Sequence, residues 1–110
     1  DWYYPVLFEH TGHHFGSDVK RAFEEGEETT YNNVPWWFAI RSGKYKYIRW
    51  MAKDELEEVY DLEADPEELN NLAAKAENVK LVERLRRILL SELRRTGGDY
   101  EKFMPAVRLP

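Results

Sequence analysis

Cysteine is absent from this 110-residue sequence. The chain therefore forms no disulfide, carries no thiolate nucleophile and has no cysteine-ligated metal site. Long apolar runs are missing as well, because no stretch approaches the roughly 20 residues that a membrane-spanning helix needs. No signal peptide is recognisable in the sequence. These absences predict that the chain does not act on a membrane, and they leave its compartment open.

An excess of basic charge is also missing. The sequence has 16 Lys and Arg residues against 21 Asp and Glu residues, for a formal net charge of −5. Affinity for nucleic acid comes largely from neutralised phosphates, so this balance argues against a nucleic-acid partner. We interpret the basic side chains of the predicted C-terminal helix as its solvated surface; they are Lys80, Arg84, Arg86, Arg87, Arg94 and Arg95.

Four stretches have the pattern of β-strands. They lie at residues 6–10, 36–41, 44–51 and 57–62. Ser42-Gly43 is expected to supply the turn between the second and third strands. Side chains alternate between the two faces of a strand, so Tyr47 and Trp50 fall on opposite faces of the third strand. Both faces of the predicted sheet therefore carry aromatic groups.

The pattern changes to a helical period outside these strands. A short helix through Phe23 is predicted to begin at Ser17 or Asp18. Asp65-Pro66, with an acidic residue three positions after the cap, has the form of a helix start, and the turn that it starts is expected to be short because Asn70-Asn71 favours a break. A longer amphipathic helix is predicted at residues 74–95. The expected fold class is α+β, with a four-stranded antiparallel sheet and one long C-terminal amphipathic helix packed across it.

The length fits one small domain. Within residues 1–110 we expect a core at 6–96, a long loop at 11–35 and a tail at 97–110. The first residue is Asp1 and not Met. We interpret this as the sign of a piece of a longer protein.

Three runs carry a resemblance to a known family. Residues 39–48 read AIRSGKYKYI, residues 58–62 read EVYDL, and residues 65–72 read DPEELNNL. In this order, ahead of an amphipathic helix, they resemble the C-terminal subdomain of the sulfatase family, a branch of the alkaline phosphatase superfamily. The resemblance covers about residues 6–95. It implies a subdomain that packs against a large N-terminal catalytic domain.

The resemblance also implies a parent enzyme that hydrolyses sulfuric esters with calcium and a formylglycine. The formylglycine is made from Cys or Ser in a Cys/Ser-x-Pro-x-Arg segment, and none of Ser17, Ser42 and Ser91 is followed by Pro-x-Arg. We therefore expect no catalytic residue, metal site or cofactor in this chain, and no sulfatase activity from it alone. The resemblance favours a periplasmic or extracellular location.

His10, His13 and His14 lie within five residues of one another, between Glu9 and Asp18. A metal site would need three or more converging ligands, and the nearby glycines favour a loop over a helix. The resemblance implies instead that this loop reaches toward the catalytic pocket of the parent. His13 or His14 would there bind substrate by a hydrogen bond to a sugar or a sulfate. An ordinary surface loop is the third interpretation.

Trp36 and Trp37 are a further candidate, because an indole can stack on a carbohydrate ring. Adjacent residues of a strand point to opposite faces, so at most one of them can join a given platform. Packing in the core or between domains is the expected role. An alternative function is a free-standing module of the same fold that binds a protein or a glycan through the aromatic sheet face. Self-association through that exposed face is a related expectation.

Overall fold

The computed structural model describes residues 5–12, 17–27, 29–31 and 34–110. The main sheet has four antiparallel strands in the spatial order β1-β4-β5-β6, and a separate two-stranded ribbon is formed by β2 and β3. The strands are β1 (Val6–His10), β2 (Thr30–Tyr31), β3 (Val34–Pro35), β4 (Trp37–Ser42), β5 (Tyr45–Trp50) and β6 (Glu58–Asp61). The two α-helices are α1 (Ser17–Glu24) and α2 (Val79–Arg95).

The predicted fold class is confirmed. The 17 residues of α2 pack across one face of the sheet, which we call the inner face, and the helix buries Val82, Leu85, Leu89 and Leu93. These four side chains recur every three or four positions, so the stripe faces one direction. None of the described helices is both long and apolar enough to cross a bilayer.

The hairpin turn lies one residue later than the sequence predicted. Ser42 pairs with Tyr45 across the ladder, so that Gly43 and Lys44 form a two-residue turn. Gly43 has φ of 60°, the positive value that hairpin turns of this length require and that glycine adopts without strain. The start of β4, the end of β5 and both ends of β6 also differ from the predicted strand bounds by one residue each.

The short turn predicted to start at Asp65-Pro66 is present as a single hydrogen-bonded turn, but it is not helical. Glu68 has φ of 57°, which is left-handed backbone that cannot continue a right-handed helix. The Asp65 carboxylate instead accepts hydrogen bonds from the backbone N–H groups of Leu69 and Asn70, at 3.0 and 2.9 Å. The segment is consequently a single closed turn that reverses the chain after β6.

The long helix begins five residues later than predicted. Residues 72–74 and 76–78 form two short 3₁₀ turns, and Lys75 between them is extended, with φ of −108° and ψ of 124°. Asn78 holds this arrangement by donating a side-chain hydrogen bond to the Leu72 carbonyl at 2.9 Å. Periodicity alone cannot distinguish such turns from the first turns of an α-helix.

The inner face of the sheet carries the main core. Phe38, Ile40, Tyr47 and Val59 from the strands are fully buried there against α2. Helix α1 adds Val19 and Ala22, so part of segment 11–35 belongs to the core. The tail contributes Tyr100, which is 4% exposed and lies 5.4 Å from the Phe23 ring, centroid to centroid.

Candidate functional site

The outer face of the sheet, opposite α2, is covered by aromatic side chains and by none of the described helices. Ala39, Ile48 and Tyr60 form a second apolar cluster there, and Trp37, Trp50 and Leu62 pack around it. Strand alternation puts these residues opposite the core positions of β4, β5 and β6. The sequence prediction that both faces carry aromatic groups is confirmed.

The aromatic side chains of this face are held in place by hydrogen bonds and by ring stacking. Trp50 Nε1 and Tyr60 Oη both donate hydrogen bonds to the carboxylate of Glu58. Trp37 stacks on the His10 ring with 5.5 Å between the centroids and 24° between the planes. The aromatic layer therefore shields the small side chain of Ala39, which is 0% exposed. Preorganised rings of this kind can bind an apolar surface at low entropic cost.

A groove of about 260 Å³ runs along the outer face. Its floor is apolar, from Phe8, Trp37 and Leu62, and its charged rim includes Arg41. Lys46 and Glu68 close one side as an ion pair with 3.0 Å between Nζ and Oε1. Phe8 is the exposed aromatic group of this face, with 47% of its surface accessible. The groove can accept an apolar side chain next to a polar or charged group.

The histidines predicted to bind substrate, His13 and His14, lie outside the described residues. Their neighbour His10 is at the end of β1 on the outer face, and its Nδ1 is buried with no hydrogen-bond partner in the described part of the chain. Across the ranges that the structure describes, no group of three His, Asp or Glu side chains could hold a metal ion. The calcium that the resemblance implies for a parent enzyme therefore finds no ligand set among the described residues.

Trp36 and Trp37 point to opposite sides of the sheet. Trp36 is 1% exposed and makes an edge-to-face contact with Phe23 at 5.7 Å, so it belongs to the core. Trp37 lies on the outer face, where it lines the groove. The prediction that only one of the two could join a surface platform is confirmed by this arrangement.

The residues that carry the family resemblance build a turn. Asn71 Oδ1 accepts hydrogen bonds from the N–H groups of Val59 and Ala73, at 2.9 and 3.0 Å. Its Nδ2 donates to the Glu57 carbonyl at 3.1 Å. Asp61 closes the start of the same turn by accepting from the N–H groups of residues 63 and 64. Side-chain amides and carboxylates thus satisfy the free backbone groups at the edge of β6.

Sequence reasoning missed a buried ionic network on the inner face. Glu57 is 5% exposed, and Arg86 donates to it twice, from Nε and Nη2, at 2.6 Å each. Tyr47 Oη donates to the same carboxylate at 2.5 Å. The interpretation of Arg86 as solvated surface is wrong, because its guanidinium binds the buried Glu57 carboxylate and its side chain is only 29% exposed.

The network sets the protonation states of its members. Burial raises the pKa of Glu57, but the hydrogen bonds from Arg86 and Tyr47 outweigh it, and the pKa ends below its ordinary value of 4.5. Burial and the adjacent carboxylate raise the pKa of Tyr47. The hydrogen bonds to Glu57 raise the pKa of Arg86. Glu57 is therefore a carboxylate, and both its partners are donors, over the neutral pH range.

Comparison with known proteins identifies relatives of the chain. The model of the family "N-sulphoglucosamine sulphohydrolase, C-terminal" matches residues 3–96. No curated protein matches the sequence. Among solved structures, a proposed sulfatase of Bacteroides thetaiotaomicron is 24% identical, with a TM-score of 0.59, over 89% of this chain and 18% of its own.

Two further structures have the same fold. One is a protein solved in complex with its substrate D-glucosamine-2-N,6-O-disulfate, at 23% identity and a TM-score of 0.60, over 88% of this chain and 17% of its own. The other is a phosphonate monoester hydrolase of Agrobacterium radiobacter, at 23% identity and a TM-score of 0.56, over 86% of this chain and 18% of its own. The chain thus spans less than a fifth of the length of these relatives, and at such identities the likeness establishes the fold alone.

Proposed function

The chain belongs to the family of N-sulphoglucosamine sulphohydrolase C-terminal domains, and from this premise we propose that it serves as the C-terminal subdomain of a sulfatase-like hydrolase. In this role it completes the fold of the enzyme by packing against an N-terminal catalytic domain. The observation that carries the proposal is the family match over residues 3–96.

The outer face supports this role. Its aromatic layer is formed from three strands and has no described element over it, whereas the inner face is covered by α1, α2 and the tail. The chemistry of the parent, with calcium and formylglycine, would then reside in the accompanying catalytic domain. This chain would contribute the outer face of the sheet, against which the catalytic domain packs.

A direct test is to express the complete natural reading frame that contains this sequence and to measure hydrolysis of sulfate esters and phosphonate monoesters side by side. We expect a higher kcat/KM for the sulfate ester, and no turnover by the 110-residue chain alone, which lacks a Cys/Ser-x-Pro-x-Arg segment. The phosphonate arm is needed because a phosphonate monoester hydrolase has the same fold. The proposal would be contradicted if the complete protein hydrolysed phosphonates but no sulfate ester. It would also be contradicted if the 110-residue chain alone kept hydrolytic activity after repurification.

We further propose that the loop after β1 helps to shape the substrate pocket through His13 and His14. In the complete enzyme, His13→Ala or His14→Ala should lower kcat/KM by about 10- to 100-fold, the cost of losing one hydrogen bond to a charged group. The matched control is Lys20→Ala, an exposed position in the next element. Thermal unfolding should be the same in all variants. If the histidine variants had the same kcat/KM as Lys20→Ala, the loop would be an ordinary surface segment without a role in substrate binding.

A further inference from the structure

Arg49 is a buried cation that forms no close ion pair among the described residues and only shares the charge of Glu57, the carboxylate that Arg86 binds. The residue is 8% exposed, its Nη2 donates to the Pro105 carbonyl at 2.9 Å, and its Nε is buried with no hydrogen-bond partner. None of the ion pairs formed among the described residues includes it. A buried charge is expensive unless it is paired, so this position requires an explanation beyond packing.

The neighbouring ionic network balances only part of the Arg49 charge. Both carboxylate oxygens of Glu57 are bound by Arg86, and one also accepts from Tyr47. Two guanidinium groups thus share one carboxylate, which leaves a local charge of about +1 where Arg49 and Glu57 are buried and Arg86 is 29% exposed. Glu101 lines a groove beside these arginines, but its side chain is 60% exposed and pairs with Arg94 at 3.5 Å.

Arg49 and Arg86 line a groove of about 400 Å³ between α2 and the C-terminal tail, which we call the tail groove. Its remaining wall is mostly apolar, from Leu90, Met104, Val107 and Leu109. Arg86 uses Nε and Nη2 for Glu57, so its Nη1 is left for another acceptor. A cavity of this size, with an apolar wall and a few convergent polar groups, is typical of small-molecule sites.

We propose that the tail groove binds a small organic anion, a carboxylate or sulfonate group on an apolar body. The anionic oxygens accept hydrogen bonds from the guanidinium groups of Arg49 and Arg86, and the apolar body lies against Leu90 and Val107. Planar guanidinium donors suit both oxoanion types, because each can accept two parallel hydrogen bonds. An inorganic anion could balance the charge of the two arginines, but it would leave the apolar wall of the tail groove exposed to water.

The test is a two-dimensional ¹H–¹⁵N NMR titration of the folded 110-residue chain at constant ionic strength. The probes are benzenesulfonate, benzoate, the neutral benzenesulfonamide and inorganic sulfate. We expect both organic anions to bind with a Kd of about 1 mM, a reasonable affinity for a ligand of this size. Shifts should be confined to the amides of residues 104–109 and the Nε–H of Arg49. Benzenesulfonamide and inorganic sulfate should bind about tenfold more weakly; equal binding of either, or shifts spread over the surface, would overturn the proposal.

Two leucine variants at exposed positions keep the test independent of folding. Leu109 lines the tail groove and is 72% exposed, and Leu69 is 80% exposed at the turn after β6. Leu109→Glu should weaken benzenesulfonate binding about tenfold by repulsion, and Leu69→Glu should leave it unchanged. Arg49→Lys keeps the charge and loses the planar fork, so it should weaken binding about fivefold. Equal effects of the two leucine variants would refute the assignment of the site.

Discussion

Replacing Arg86 with methionine should lower the free energy of unfolding by about 3–5 kcal/mol, the usual cost of leaving one partner of a buried ion pair uncompensated. Glu57 is 5% exposed and would remain as a buried carboxylate with Tyr47 as its hydrogen-bond donor. Chemical denaturation of the wild-type chain and the variant measures the difference. The matched control is Arg84→Met, because Arg84 is exposed on the same helix and should change stability by no more than about 0.5 kcal/mol.

A second substitution distinguishes the ion pair from simple packing. In the double variant Glu57→Gln with Arg86→Met, both charges of the Glu57–Arg86 pair are gone, Arg49 keeps its charge, and the glutamine carbonyl can still accept from Tyr47. We expect stability to recover to within about 1–2 kcal/mol of the wild type, because replacing both members of a buried pair is far cheaper than removing one. A double variant as unstable as Arg86→Met would show that the loss comes from the packing of the arginine stem.

Acid provides an independent measurement of the same pair. The pKa of Glu57 is lowered below its ordinary value of 4.5 in the folded chain. A carboxylate of this kind stabilises the fold fully above its unfolded pKa and loses the contribution as the pH falls through the folded value. Wild-type stability should therefore decrease below about pH 4.5, and the double variant should lack that part of the decrease.

The sheet was predictable because its signal is local. Alternation in residues 44–51 assigns Tyr47 to one face and Trp50 to the other without any knowledge of the partner strands, and the structure places them so. The turn after β6 was predicted less well. In the structure Glu68 has a left-handed backbone, and its carboxylate pairs with Lys46, 22 residues earlier. No local pattern indicates such a contact.

The buried ion pair illustrates the same limit. Glu57 and Arg86 are 29 residues apart, and each looks like an ordinary charged residue in its own element. One signal was available: alternation through residues 57–62 puts Glu57 on the same side as the buried Val59. A glutamate at an inward strand position must find a cation or protonate. The identity of that cation follows only once α2 is placed on the sheet.

Replacing Trp36 with alanine should cost about 3–5 kcal/mol, the range measured for large aromatic side chains removed from a core. Trp36 is 1% exposed and joins three parts of the fold. Its ring packs against Phe23 of α1. Its backbone N–H donates to the Thr29 carbonyl, and its backbone carbonyl accepts from the backbone N–H of Met51. Since small domains have only about 5–15 kcal/mol in total, the variant should be largely unfolded at moderate temperature.

Trp37→Ala is the matched comparison, because it removes the same side chain from the opposite face of the sheet. Trp37 is half-buried on the outer face, so its removal from the 110-residue chain should cost only about 1–2 kcal/mol. If the outer face packs against a catalytic domain, the same substitution should cost about 1–2 kcal/mol more in the complete protein, where it also removes buried apolar contact with that domain. Equal costs in the two settings would mean that the outer face is not covered and would favour the free-standing interaction module. Trp36→Ala should be equally damaging in both, because the core that it disrupts lies entirely within this chain.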